Sequence, residues 1–300
     1  MSSTLTKPTY LAKLNPHPFD DRIQFEEETH TYTIDGDSTY TSVTTFVHHH
    51  FPPFEPDVAI PSMLAESREF SGRTYPNKSP YRKQALANIE EKLVAQGEPA
   101  EKAVEYLNDT QSQYYKAEYD AIIQQWAETS KLGTRTHADI ESFYNKLPVE
   151  NDTKEYEYFQ AFNRDFEASH PTYRPYRTEW TVFYKSLKLA GSIDMIYENT
   201  EDGTLMIYDW KRVKEIKYEG FKDNMATSPC LPDMPNCNFW HYSLQLNTYK
   251  GILEAEYGKT VTKLVLVRLY PDAPNYELHE CADLSYEVDL LFEERKNELA

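Results

Sequence analysis

The period of the hydrophobic pattern changes along the chain, and each change marks an element. Ile23 to Phe25 and His30 to Ile34 (HTYTI) read as a short hairpin, followed by the turn residues Asp35-Gly36-Asp37. Ser42 is placed to cap a short helix, TSVTTFVHHHF, ended by Pro52-Pro53. Residues 57–70 predict a further helix, and a basic, proline-containing loop at 71–84 separates it from a helical zone over roughly 81–128. In Lys131 to Leu147 the pattern predicts a helix starting near Thr134–Thr136, with Ile140, Phe143, Tyr144 and Leu147 as its apolar stripe. His137 stands on that stripe and Glu141 follows one turn later on the same side. A second helix is expected at about 153–169, then a strand over Tyr176 to Tyr184 that contains Glu179.

The next stretch, Leu189 to Arg212, predicts a β-hairpin. Ser192–Tyr197 and Thr204–Trp210 are rich in β-branched and aromatic residues, and the polar run Glu198 to Gly203 lies between them. Asp194 and Asp209 interrupt otherwise apolar strands, and pairing about the turn brings them together across the ladder. Lys211, two residues beyond Asp209, shares its face, while Trp210 points away. Two carboxylates about 4 Å apart repel by roughly 4 kcal/mol at an effective dielectric near 20. A solvated surface pair is the bland alternative; a divalent cation with oxygen ligands offsets the repulsion directly. Residues 213–238 are polar and proline-rich, an insertion or lid. A helix over WHYSLQLNTYKGILEAEYG follows, with Gln245 and Tyr249 adjacent at i, i+4. Strands at 261–270 and 276–281 and an amphipathic helix at 284–299 close the chain. The order from residue 131 onward predicts an α/β fold, a mixed central sheet flanked by helices at 131–300, preceded by a mainly helical region at 1–130.

Composition narrows the function classes. The 300 residues, 40% hydrophobic and 14% aromatic, suffice for a sizeable core. No apolar run approaches the ~18 residues of a membrane span, and the first residues lack the apolar core of a secretory signal. Cys230, Cys237 and Cys281 form no CxxC pair, which suits a reducing intracellular compartment and cannot complete a four-cysteine metal site. The net charge of −18 argues against a protein that coats nucleic acid. Basic residues are nevertheless concentrated locally, at Arg73, Lys78, Arg82 and Lys83 and again across Lys211 to Lys222. The His48-His49-His50 triplet does not converge on one ion, because consecutive helical residues point about 100° apart.

Four motifs in order, GTRTH at 133–137, GSID at 191–194, YDWK at 208–211 and QLNTY at 245–249, resemble the RecB-like branch of the PD-(D/E)XK nuclease superfamily. That branch includes mitochondrial genome-maintenance exonucleases and exonucleases of phages and large DNA viruses. The likeness covers roughly residues 131–270, and SVTTFVHHHFPPF is similar to viral members, which implies a virus- or phage-encoded protein. The resemblance implies a restriction-endonuclease-like core in which Asp194, Asp209, His137 and the main-chain carbonyl of Trp210 ligate Mg²⁺ or Mn²⁺. It further implies that Lys211 orients the attacking water, that Gln245 and Tyr249 help place the substrate, and that Glu179, and Glu141 beside it, are possible extra acids. Cysteines that hold an iron–sulfur cluster in some relatives are missing, so no cluster is expected. The implied function is a metal-dependent DNA exonuclease acting on single-stranded or frayed ends in replication, repair or recombination. Alternatives are an endonuclease or RNA-directed nuclease of the same fold, or a catalytically silent nucleic-acid-binding scaffold. Arg174 and Arg177, beside Tyr173, Tyr176, Tyr184 and Trp240, are candidates for holding phosphates and stacking bases, with core packing as the competing reading for the aromatics. Arg82 and Lys83 are candidates in a helical wall or arch over the site.

Overall fold

The computed structural model describes residues 9–57, 59, 60, 63 and 81–300. The chain divides into two units, one of residues 54–131 and the other combining residues up to 53 with 132–300. This corrects the expected division at residue 130. Residues 9–53 fasten onto the sheet of the larger unit through a buried charge pair and main-chain bonds.

That N-terminal stretch begins with α1 (Tyr10–Leu14), whose Thr9 side chain accepts from the Ala12 N–H. β1 (Ile23–Glu26) and β2 (Thr31–Ile34) pair antiparallel with Ile23 opposite Ile34, as the alternation predicts. β3 (Thr41–Ser42) leads into α2 (Val43–His48), and Ser42 caps it by accepting from the Thr45 N–H at 3.0 Å. Arg177 is buried and reaches back to Asp20 at 2.8 Å and to the Asn15 carbonyl, while the Trp180 indole also donates to Asp20. Burial alone would raise the Asp20 carboxyl, but hydrogen bonds from Arg177, the His17 N–H and Trp180 hold it below the usual carboxylate range.

In the smaller unit α3 spans Tyr81–Ala95, so the loop expected to run to residue 84 has become helix from Tyr81. Residues 71–80 of that basic loop lie outside the described residues, as do the side chains of Arg82 and Lys83. Ile60 packs with Tyr119, Ile122 and Trp126, and the Tyr119 hydroxyl donates to Asp57 at 2.6 Å. α4 runs unbroken over Ala103–Tyr144 and carries His137 in its last turns. The expected start near Thr134–Thr136 is therefore an internal position. The Thr136 hydroxyl donates to the Leu132 carbonyl one turn back, which satisfies it without a cap. Ile140 and Tyr144 are buried, whereas Leu147 lies beyond the helix end and is exposed.

The larger unit continues with α5 (Lys154–Ser169), β4 (Tyr173–Tyr184), β5 (Leu189–Asn199), β6 (Leu205–Lys211), α6 (Asn238–Glu256), β7 (Val261–Arg268), β8 (Glu277–Glu280) and α7 (Ser285–Glu298). The sheet is mixed: β4–β5, β5–β6 and β7–β8 are antiparallel, and β3–β5 and β6–β7 parallel. Aromatics of α5 (Phe159, Phe162, Phe166) pack on Met195, Tyr197, Tyr208 and Trp210. Leu244, Ile252 and Leu253 of α6 and Val288 and Leu291 of α7 share the other cluster with Ile196 and Ile207. β5 pairs with three strands. β4 takes one edge, while β3 pairs with Leu189 and Ala190 and β6 with Met195 to Glu198, leaving Gly191 to Asp194 between those two partners.

The Asp20–Arg177 pair gives a direct check on the N-terminal attachment. Because Asp20 is depressed in the folded state, its contribution is full above the unfolded value near 3.9 and is lost as pH falls through the folded value. Asp20→Asn should cost about 3 kcal/mol at neutral pH by leaving Arg177 buried without its counter-charge. The gap in melting temperature between wild type and D20N should narrow below about pH 4; a gap that persists unchanged there would show that the charge is not responsible.

Candidate active site

Register brings three acids into one row. Thr178 pairs with Met195 and Trp180 with Ile193, so Glu179 stands opposite Asp194. Met195 pairs with Tyr208, and one step further along the same register sets Asp194 opposite Asp209. The row sits at an irregularity. Ile193 and Ile196 belong to one apolar cluster and Met195 and Tyr197 to the other, so strict alternation slips at Asp194. Directly across, Glu179 has φ +42°, a left-handed backbone that costs a non-glycine residue about 1–3 kcal/mol.

α4 delivers His137 onto this row. Its Nε2 lies 2.9 Å from the Trp210 carbonyl, which can only accept, so Nε2 carries the proton. Nδ1 faces Asp194 Oδ2 at 3.4 Å and Glu179 Oε1 at 3.7 Å. Asp194 Oδ2 also accepts from the Trp210 N–H at 2.9 Å. Lys211 Nζ lies 2.6 Å from Asp209 Oδ2, and Trp210 turns to the other side into the α5 aromatics, as period two requires. Among the described residues, one group of three or more His, Cys, Asp or Glu donors can share an ion: His137, Glu179 and Asp194, with ligand atoms within 4.8 Å of one another. Asp209 stands outside that group because Lys211 holds it. Glu179, expected as an extra acid, thus lies closer to the histidine than Asp209 does. The His48–His50 triplet indeed diverges: the His48 ring faces His241, and His50 lies 3.9 Å from Glu294.

Charge explains the arrangement. Burial raises Asp194 and Asp209 above the usual carboxylate range, with the Glu179 charge adding to the first shift and the Asp194 charge to the second. Burial would lower His137, but Asp194 and Glu179 outweigh it and raise the imidazole to about 9. Lys211 is likewise lowered by burial and raised more by Asp209 and Asp194. The imidazolium thus occupies, electrically, the place of a cation among one main-chain carbonyl and two carboxylates. One nitrogen, the carboxylate oxygens and that carbonyl fit a divalent ion of mixed nitrogen–oxygen preference.

Other expected residues divide. Tyr249 is buried, hydrogen-bonds Gln245, and is raised by burial and by the charges of Asp194 and Asp209, which puts the QLNTY element behind the acid row. Its ring also explains Gly191: a β-carbon there would lie 2.7 Å from the Tyr249 hydroxyl and 2.8 Å from Cε1. Burial and the Glu179 charge raise Glu141, which stands near the row but outside the donor group. Arg177 is turned inward, whereas Arg174 is exposed. Arg177 is buried against Asp20, and Arg174 is paired with Glu198 at 2.7 Å, four residues along β5 from Asp194. Of the proposed stacking aromatics, Tyr176 is core, Tyr184 packs on Phe292, and the Trp240 indole donates to the Tyr218 carbonyl. Two contacts escaped the sequence reading. Ser192 donates to Glu179 at 2.9 Å, and Tyr242 covers the Lys211 ammonium. The signal for Tyr242 was its spacing, three residues before Gln245 and seven before Tyr249 on one helix.

A profile of the PD-(D/E)XK nuclease superfamily matches residues 100–296. The chain belongs to that superfamily. Its members use divalent metals and act on nucleic acid, and every residue of the row, together with His137, Lys211 and Tyr249, falls inside the match. This PD-(D/E)XK chain also resembles the crystal structure of SSO0001, at 17% identity over 62% of this chain and 68% of that one, with a TM-score of 0.24. No curated protein matches it. Within the superfamily match lies the whole acid row, whereas residues 9–53 of the same structural unit lie outside it. No helix among the described residues is long and apolar enough to cross a membrane.

Gly191→Ala should force the Tyr249 ring off β5. Overpacking against a buried ring costs about 1–3 kcal/mol, so G191A should melt several degrees below wild type. G191A/Tyr249→Leu should regain part of the loss relative to Y249L alone. Equal melting temperatures for G191A and wild type would mean the ring is not wedged there.

Proposed function

We propose that this PD-(D/E)XK chain is a DNA exonuclease of the RecB-like branch, acting on single-stranded or frayed ends with Mg²⁺ or Mn²⁺. One observation carries the reading: the imidazole, the acid row, the Trp210 carbonyl and the Lys211 ammonium meet at the one place where β5 lies between its two edge partners. His137, Asp194, Asp209 and the Trp210 carbonyl would hold the ion, with Glu179 as a further oxygen donor. A bound divalent ion supplies an acidified water and relief of charge on the phosphate. Lys211, already aimed along the row by Asp209, offers the second positive charge, and its three N–H donors suit both a phosphate oxygen and the attacking water. The Gln245–Tyr249 pair holds the floor of the site rigid beneath Gly191. An imidazole ligand favours Mn²⁺ over the harder Mg²⁺.

The test uses end-labelled single-stranded, duplex and circular DNA. Mononucleotide release from linear DNA should occur with Mg²⁺ and faster with Mn²⁺, and should stop with EDTA. Asp209→Asn should lower kcat by about two orders of magnitude or more. Circles should be spared. Cleavage that persists in EDTA or in D209N removes the proposed site, cutting of circles replaces the exonuclease with an endonuclease, and RNA cleaved in preference to DNA reassigns the substrate.

A further inference from the structure

We propose that Tyr242 is a positioning residue for Lys211: its ring face holds the lysine ammonium over the acid row and leaves the ammonium's donors free for substrate. The inference rests on the nuclease reading above. Its geometry does not. Lys211 Nζ lies 4.4 Å from the centre of the Tyr242 ring, while Asp209 Oδ2 lies 2.6 Å from the same nitrogen. The ammonium therefore has an anion on one side and a π-face on another. Tyr242 projects from α6, the helix whose Tyr249 packs behind Gly191, so the ring and the acid row are carried by elements already fastened together.

The chemistry argues for an aromatic at this place. A lysine stem has four rotatable carbons, and an unrestrained ammonium visits many positions. A fourth carboxylate would restrain it, but would add repulsion to a row that already holds three acids and would compete with phosphate for the N–H donors. A ring face attracts the cation through its quadrupole, within about 6 Å of the centroid, and accepts no strong hydrogen bond. Were Asp209 to turn toward a bound ion, the ring would remain as a contact that keeps Lys211 over the row. The side chain of Lys211 is 16% exposed, so the contact is sheltered from water, where such an attraction is larger. Burial raises Tyr242, with Lys211 pulling the other way, which agrees with a phenol that stays neutral beside the ammonium.

Two readouts test this. Full-length protein is reductively dimethylated with ¹³C-formaldehyde, and the Lys211 methyl resonance is assigned by its absence in Lys211→Arg. In metal-free wild type that resonance should be displaced upfield by the ring; Tyr242→Phe should keep the displacement and Tyr242→Leu should abolish it. In Mn²⁺, on a single-stranded oligonucleotide, Y242L should lose about tenfold in kcat (~1.4 kcal/mol) with KM and melting temperature close to wild type, while Y242F should restore most of it. An undisplaced Lys211 resonance in wild type overturns the contact, whether or not the protein is a nuclease. Full kcat in Y242L overturns its role. Equal losses in Y242F and Y242L would transfer the role to the hydroxyl and overturn the ring-face mechanism. Absence of nuclease activity in wild type, with the resonance displaced, defeats the functional reading and leaves the contact standing.

Discussion

Three carboxylates side by side across neighbouring strands are the constraint around which the larger unit is built. Glu179, Asp194 and Asp209 come from β4, β5 and β6 and meet because two antiparallel ladders share β5. At about 4 Å and an effective dielectric near 20, each close pair costs roughly 4 kcal/mol. Partial burial makes that worse. The protein answers with positive charge from two elements, His137 from α4 and Lys211 on β6 itself, and sets the Tyr242 face from α6 over that lysine.

Backbone irregularity is part of the same solution. Regular alternation through β5 would send Ile193 and Met195 to one side, yet they enter different apolar clusters. The slip at Asp194 faces the left-handed Glu179, and both fall where β3 has ended and β6 has not begun. There β5 is free to turn its Asp194 carboxylate to the Trp210 N–H, from which it accepts, and to receive a tyrosine ring on Gly191. Packing of the α5 aromatics on one side and of α6 and α7 on the other holds this strained stretch in place.

Residues 9–53 belong to that support. β3 lies beside β5, and Asp20 ties the N-terminal stretch to Arg177 and Trp180 on β4, two residues before and one residue after Glu179. Arg177 thereby has a structural task. An arginine next to a tyrosine in sequence resembles a phosphate-binding residue equally well; only its burial against an aspartate 157 positions away distinguishes the two.

What the chain determined locally was therefore the kind of elements and the kind of chemistry. Period-two runs placed the 189–212 hairpin, so Asp194 and Asp209 had to meet, and Lys211 had to share their face while Trp210 left it. The Ser42 cap and the order of helices and strands after residue 131 were legible for the same reason, since caps and periods act over a few residues. Long-range contact decided the rest. The start of α4 disappeared because a threonine hydroxyl can satisfy itself on its own helix; residues 9–53 joined the sheet through partners more than a hundred positions distant. Glu179 entered the histidine's group through a meeting of β4 and α4 that no spacing along one strand contains. Charge balance among groups from separate elements is a property of the packed fold, because Coulomb energy depends on separation in space and on burial, and neither is written in the order of residues.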